Sequence, residues 1–279
     1  MSQRPVLRAC LVLPATSPEW AVVISAAAQR ANLPLIRPDE GDVPPESGDF
    51  VVIVATATED VGFSPTDWAV VEAGSLDAGF ENAVEASRRC ALAYDGVPEN
   101  AAVIKADFVN GTGQRLFDRL DLRGADTGDL NPGWRDGIGW PVFDNGPPAI
   151  GDEFVLPISI FSLDTRHAQI GRPSTDIELV GRARYLVFGP YYWLPMGVWN
   201  ICLTFAVDAE GGTRGFRLEW GGLEEFDHFN FSPKGAGRYA VSMDHEFKTA
   251  ASVELRMVLA EAALAGRFVL ESIVLKRTG

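Results

Sequence analysis

Between Gly197 and Asp208 the chain alternates strictly. Trp199, Ile201, Leu203, Phe205 and Val207 fall on one phase, Asn200, Thr204 and Asp208 on the other. Successive side chains of a strand point to opposite faces, so a period of two dictates a β-strand with one face in a core. The same alternation recurs in Arg214–Trp220, Arg238–Met243 and Val253–Leu259. It recurs again in Arg267–Lys276, where the phase slips near Glu271-Ser272 and predicts a bulge. Gly, Pro and Asp separate these runs at intervals of about ten residues, the spacing of an antiparallel β-sandwich, and about eight such strands make a jelly roll. Residues 153–279 are read as that sandwich.

Residues 1–110 follow a different period. Val6–Leu13 and Phe50–Thr56 are short, β-branched apolar runs, as expected of strands covered on both faces. Between them Ser17-Pro18-Glu19 supplies an N-cap, a proline in the first turn and an acidic charge. Trp20, Val23, Ile24 and Ala27 then share one helical face. Ser64-Pro65 repeats the start signal ahead of Trp68 and Val71, a longer helix is expected over 77–93, and the apolar run Ala101–Phe108 follows. The expected order is β-α-β-α-α-β, a small α/β layer domain with parallel strands. From 111 to 152 turn signals dominate: Asn131-Pro132-Gly133, Asp136-Gly137 and Asn145-Gly146-Pro147-Pro148. This segment reads as an irregular connector at a domain boundary, with Trp134 and Trp140 pinning it to a neighbour.

A net charge of −14 argues against nucleic acid and anionic membrane surfaces as partners, because both call for clustered Lys and Arg. The longest apolar runs fall far short of the roughly 18 residues of a membrane span. The N-terminal apolar run stops at Pro14 without a cleavage site, so synthesis in the cytoplasm without a signal peptide is expected. Cys10, Cys90 and Cys202 are odd in number and far apart, and read as three buried thiols.

The sequence offers little catalytic chemistry. Asp227-His228 and Asp244-His245-Glu246 carry the residue types of a metal site, yet neighbours on a strand face opposite ways, so each cluster supplies one or two ligands at most. No cofactor is expected. A structural calcium, if bound, would use backbone carbonyls, which a sequence does not reveal. Glycoside hydrolysis needs two flanking carboxylates, but 38 acidic residues satisfy that by chance. No G-x-S-x-G elbow appears, Pro14-Ala15-Thr16-Ser17 stands where a dinucleotide loop would, and Asn110-Gly111-Thr112-Gly113 reads as a turn.

The most distinctive segment is Gly189-Pro190-Tyr191-Tyr192-Trp193-Leu194-Pro195-Met196-Gly197-Val198-Trp199. It resembles a GPY–x–x–LP–x–G–x–aromatic pattern of carbohydrate-binding β-sandwich domains in alphaproteobacterial polysaccharide proteins, including head-spike proteins of gene transfer agents. The likeness covers about 175–277 and ends in Gly266-Arg267-Phe268 and Ile273–Arg277. Family members usually carry a basic residue and Tyr where Trp199-Asn200 stands here, and a role for that basic residue does not carry over. The resemblance implies a cell-surface polysaccharide, such as a capsule, as ligand. It also implies a phage-like particle that lysis releases.

A pyranose has an apolar C–H face and a rim of hydroxyls, which a protein meets with a ring and with polar side chains. Tyr192 and Trp193, at an expected loop-to-strand junction, are the candidate rings. Arg184 and Glu219, on the outward phases of their strands, are the candidate polar partners, with Arg166 and Trp220 beside them. The bland readings are that Tyr191 packs under the loop and that Trp199 is core. Trp220 shares the phase of Phe216 and Leu218, although its end position also suits a rim.

Three functions follow. The first is non-enzymatic polysaccharide binding, with residues 1–110 anchoring the chain to capsid or other particle proteins in a homo-oligomer. The second is an enzyme of polysaccharide synthesis or degradation that the sandwich targets. The third is a structural particle protein making only protein contacts.

Overall fold

Apolar runs too short for helices become a parallel sheet in the first part of the chain. The computed structural model describes residues 9–12, 19–42, 52–55, 67–71, 80–98, 101–104, 120, 122, 140–143, 146–164, 166, 175–208 and 215–279. The chain divides into two units, residues 1–138 with 142–148, and residues 139–141 with 149–279.

In the first unit strands β1 (Ala9–Val12), β2 (Leu35–Ile36), β3 (Val52–Ala55), β4 (Asp67–Val71) and β5 (Ala102–Ile104) lie in the order β2-β3-β1-β4-β5. Every pairing is parallel. Helix α1 (Glu19–Arg30) buries Trp20, Val23, Ile24 and Ala27, the face its period marks, in one cluster with Val52, Val54 and Ala69. Helix α2 (Phe80–Tyr94) falls within one to three residues of its expected span. The helix expected after Ser64-Pro65 is instead strand β4, whose β-branched and aromatic residues pair with β1 on one side and β5 on the other. Ser17-Pro18, Ser64-Pro65, Asn110–Gly113, Trp134 and most of the 111–152 connector lie outside the described residues. Among the described residues no helix is long and apolar enough to cross a membrane.

The second unit contains β6 (Glu153–Leu156), β7 (Ser162–Leu163), β8 (Asp176–Glu178), β9 (Arg184–Leu194), β10 (Gly197–Asp208), β11 (Phe216–Gly222), β12 (Phe226–Phe231), β13 (Gly237–Phe247), β14 (Ala251–Leu259) and β15 (Arg267–Arg277). They form two antiparallel sheets, a β-sandwich. In the first sheet the order is β13-β10-β15, with β6 and β8 sharing the far edge of β15. In the second it is β12-β11-β14-β9-β7. Strands β8 to β15 thus run β8-β15-β10-β13 and β9-β14-β11-β12, the strand order of a jelly roll.

The alternation of 197–208 sets the core: Trp199, Ile201, Leu203, Phe205 and Val207 are all buried. Facing them are Phe216, Leu218 and Trp220 of β11 and Leu255, Met257 and Leu259 of β14. Phe205 stacks on Phe268 at 5.0 Å between ring centres, an aromatic pair of the kind that adds about 0.5–1.5 kcal/mol beyond its buried area. The bulge expected in the last strand is present: Thr204 pairs with Ser272 and Phe205 with Leu270, leaving Glu271 over. Of the cysteines, Cys90 is buried, but Cys202 lies on the outward phase of β10 and is only partly covered. Its thiol is pushed up by that partial burial.

Candidate functional site

The outward face of the second sheet carries the candidate site. Ser252, Glu254, Arg256 and Val258 occupy alternate positions of β14 and so point away from the core. Their partners across the sheet are Arg217, Glu219 and Gly221 on β11, and Tyr185, Phe188, Pro190 and Trp193 on β9. Strand β12 adds Phe226 and His228, opposite Gly221 and Glu219.

On this outward face Glu219 is only 8% exposed and Glu254 only 3%. Buried carboxylates must be paired, because desolvation otherwise drives them neutral. Arg256 pairs both, donating from Nη2 to Glu254 Oε2 at 2.6 Å and from Nη1 to Glu219 Oε2 at 3.4 Å. Arg217 closes on Glu219 Oε1 at 2.6 Å. The Tyr191 hydroxyl donates to Glu254 Oε1 at 3.0 Å. The Glu254 contact is the main cause that raises the Arg256 guanidinium above its ordinary value. Burial, then Glu254, raises the Tyr191 phenol. Tyr185, 46% exposed, lies beside the network, 5.7 Å from the Arg256 guanidinium. The result is a fixed set of hydrogen-bonding groups next to an accessible ring.

At the end of the sandwich a cleft of about 650 Å³ opens between the β11–β12 turn, the β13–β14 turn and Trp193. Ser252, Thr249, Lys248, Asp227 and His245 line it. His245 Nδ1 lies 2.7 Å from Asp227 Oδ2, a contact that joins the two sheets.

The structure places the sequence candidates unevenly. Glu219 stands at the centre of the network and half-buried Trp193 lines the end cleft. Tyr192 is corrected: it lies within β9 rather than at a loop, is 2% exposed, and stacks on Trp140 with 4.9 Å between ring centres. A register shift explains this. Pro190 pairs with Glu254 and Trp193 with Ser252, so one extra residue sends Tyr192 inward and Trp193 outward. Trp140, one of the two tryptophans expected to pin the connector, is the partner in this stack. Trp220 is corrected too; it is buried, and its indole N–H donates to the Trp199 carbonyl at 3.3 Å. Arg184 is spent on Asp164 and on the carbonyls of Glu178 and Leu179, because it sits where β9 meets the β7 edge. Arg166 is exposed and pairs with the same Asp164 at 2.8 Å.

Of the four weak metal candidates, only Asp227 and His245 meet. His228 faces outward opposite Glu219, and Asp244 accepts from Asn200 at 3.0 Å. Among the described residues no group of three His, Cys, Asp or Glu could hold a metal. Sequence reasoning missed Tyr185, Tyr191, Arg217, Glu254, Arg256 and Phe226. The signal was present for Glu254 and Arg256, two charges alternating with Val253, Leu255 and Met257.

No family model and no curated protein matches the chain. Solved structures similar to part of it include the xylan-binding module CBM15, with 9% identity, a TM-score of 0.33, and 46% of this chain and 97% of that one covered. Another is the CBM36-1 domain of a multidomain xylanase from the hindgut metagenome of Trinervitermes trinervoides, at 12%, 0.32, 46% and 99%. A third is TmCBM61 in complex with β-1,4-galactotriose, at 10%, 0.28, 37% and 68%. At such scores the likeness assigns no function to this chain.

Proposed function

We propose that the second unit binds a polysaccharide without cleaving it, on the outward face of its second sheet. The observation that carries this is the exposed Tyr185 ring beside a guanidinium fixed between Glu219 and Glu254. The ring offers an apolar surface to a pyranose C–H face. The guanidinium, oriented by the two carboxylates, offers donors to its hydroxyls. Because the network is already ordered, binding costs little further side-chain entropy.

The ligand is read as a cell-surface polysaccharide such as a capsule, and the chain as a receptor-binding spike of a phage-like particle. What supports this finer reading is the 189–199 segment, which resembles the carbohydrate-binding sandwich domains of gene transfer agent head spikes and here forms the end of β9, the strand of Tyr185 and Tyr191, and the start of β10. In this scheme the first unit attaches to capsid or other particle proteins. A homo-oligomer multiplies single shallow contacts, since linking modules raises avidity by roughly 10²–10⁴.

The test is a glycan array and capsule pull-down with the full chain. Binding that Arg256→Ala reduces at least about tenfold, with no release of reducing ends, supports the reading. Sugar release or transfer would move the chain to the enzymes, and binding to proteins alone would make it structural.

A further inference from the structure

We infer that the saccharide site continues past Tyr185 along β9 and β14 into the end cleft, so that the protein grips an internal stretch of several sugars with Trp193 as the far subsite. This rests on the reading of the outward face as a saccharide site.

The two regions meet at Ser252 and Trp193 and share one set of contacts. Ser252, which lines the cleft, lies on the same phase of β14 as Glu254, Arg256 and Val258. Across the sheet Tyr185 is opposite Val258, Phe188 opposite Arg256 and Trp193 opposite Ser252. Tyr191 ties the halves together: its carbonyl accepts from Ser252 Oγ at 3.0 Å while its hydroxyl donates to Glu254 at 3.0 Å. Tyr191 has a φ of +67°, a left-handed conformation uncommon for a bulky residue. The register shift at this point turns Trp193 to the outward face.

Six residue steps from Val258 to Ser252 span about 20 Å at roughly 3.4 Å per residue, more than one sugar ring covers. The path begins at the Tyr185 ring, crosses the Arg256 network, and ends at the Trp193 indole beside Ser252 and Thr249. A chain of pyranoses presents the matching sequence, apolar ring faces separated by hydroxyls. The cleft volume falls within the range of about 300–1,000 Å³ that ligand pockets occupy.

The experiment is calorimetric titration of the full chain with xylo-, β-1,4-galacto- and gluco-oligosaccharides of graded length, from dimer to hexamer. The expected result is affinity that rises about tenfold with length in at least one series. Trp193→Ala then removes the gain with length, Trp193→Phe retains most of it, and Tyr185→Ala weakens all lengths. Thermal melts confirm that each variant folds. A hexamer no tighter than a dimer, or a length gain that survives Trp193→Ala, overturns the inference and leaves the Tyr185 site standing. If a capsular polymer binds where these series do not, unchanged polymer affinity in Trp193→Ala overturns it. No binding of any saccharide by the full chain removes both readings.

Discussion

The guanidinium carbon of Arg256 lies 4.1 Å from the centre of the Phe226 ring while its terminal nitrogens reach Glu219 and Glu254. One side chain from β14 thus holds two carboxylates and covers a ring on the edge strand β12. Its planar fork suits both tasks, which an ammonium does not.

Arg256→Ala is expected to lower stability by about 3 kcal/mol, because it takes the guanidinium from buried Glu254, which keeps the Tyr191 hydroxyl, while Glu219 keeps Arg217. Arg256→Lys should recover less than half of the loss, since one ammonium cannot bridge both partners. The triple change Glu219→Gln, Glu254→Gln, Arg256→Met should restore much of the stability and still abolish saccharide binding. Chemical denaturation alongside an affinity measurement checks all three variants.

Tyr185 and Tyr192 should behave oppositely. Tyr185→Ala alters an exposed ring, so stability should change by less than about 0.5 kcal/mol while saccharide affinity drops about tenfold.

Tyr192→Ala removes one half of the buried Trp140 stack and should cost about 3–5 kcal/mol. Its remaining folded fraction should bind with nearly native affinity. Equal loss of affinity in both variants would return Tyr192 to the site.

Asp164 gives a pH signature. Burial raises its carboxyl, but hydrogen bonds from Arg166 and Arg184 outweigh that and hold it at about 2. A depressed folded value means stability that is present above the ordinary value of 3.8 and is lost as pH falls toward 2. Asp164→Asn should therefore melt lower than the parent at neutral pH, and the gap should close between about pH 4 and pH 2. Melting curves across that range test it.

Much of the sandwich was legible in one dimension. The period of two at 197–208 and 253–259 is a direct consequence of strand geometry, and each residue it placed inward is buried. The slip at Glu271 was legible for the same reason. The α1 face followed from its helical period. Strand β4 did not, because a five-residue run gives no period to read and its neighbours β1 and β5 decide its state.

The candidate site was legible only where a residue's phase was fixed by its own strand, as for the outward Glu219. What a strand faces across the sheet, and whether an outward charge is spent on a neighbour, depends on pairing between distant segments. Arg184 went to Asp164, twenty positions away, and Glu254 to Tyr191, sixty-three away. The inward turn of Tyr192 and the outward turn of Trp193 hang on one extra residue in β9, which only registry with β14 reveals. Sequence determined which residues alternate, since that is local backbone geometry. Tertiary structure decided which rings and charges meet, since side chains compete for partners only once the sheets have closed.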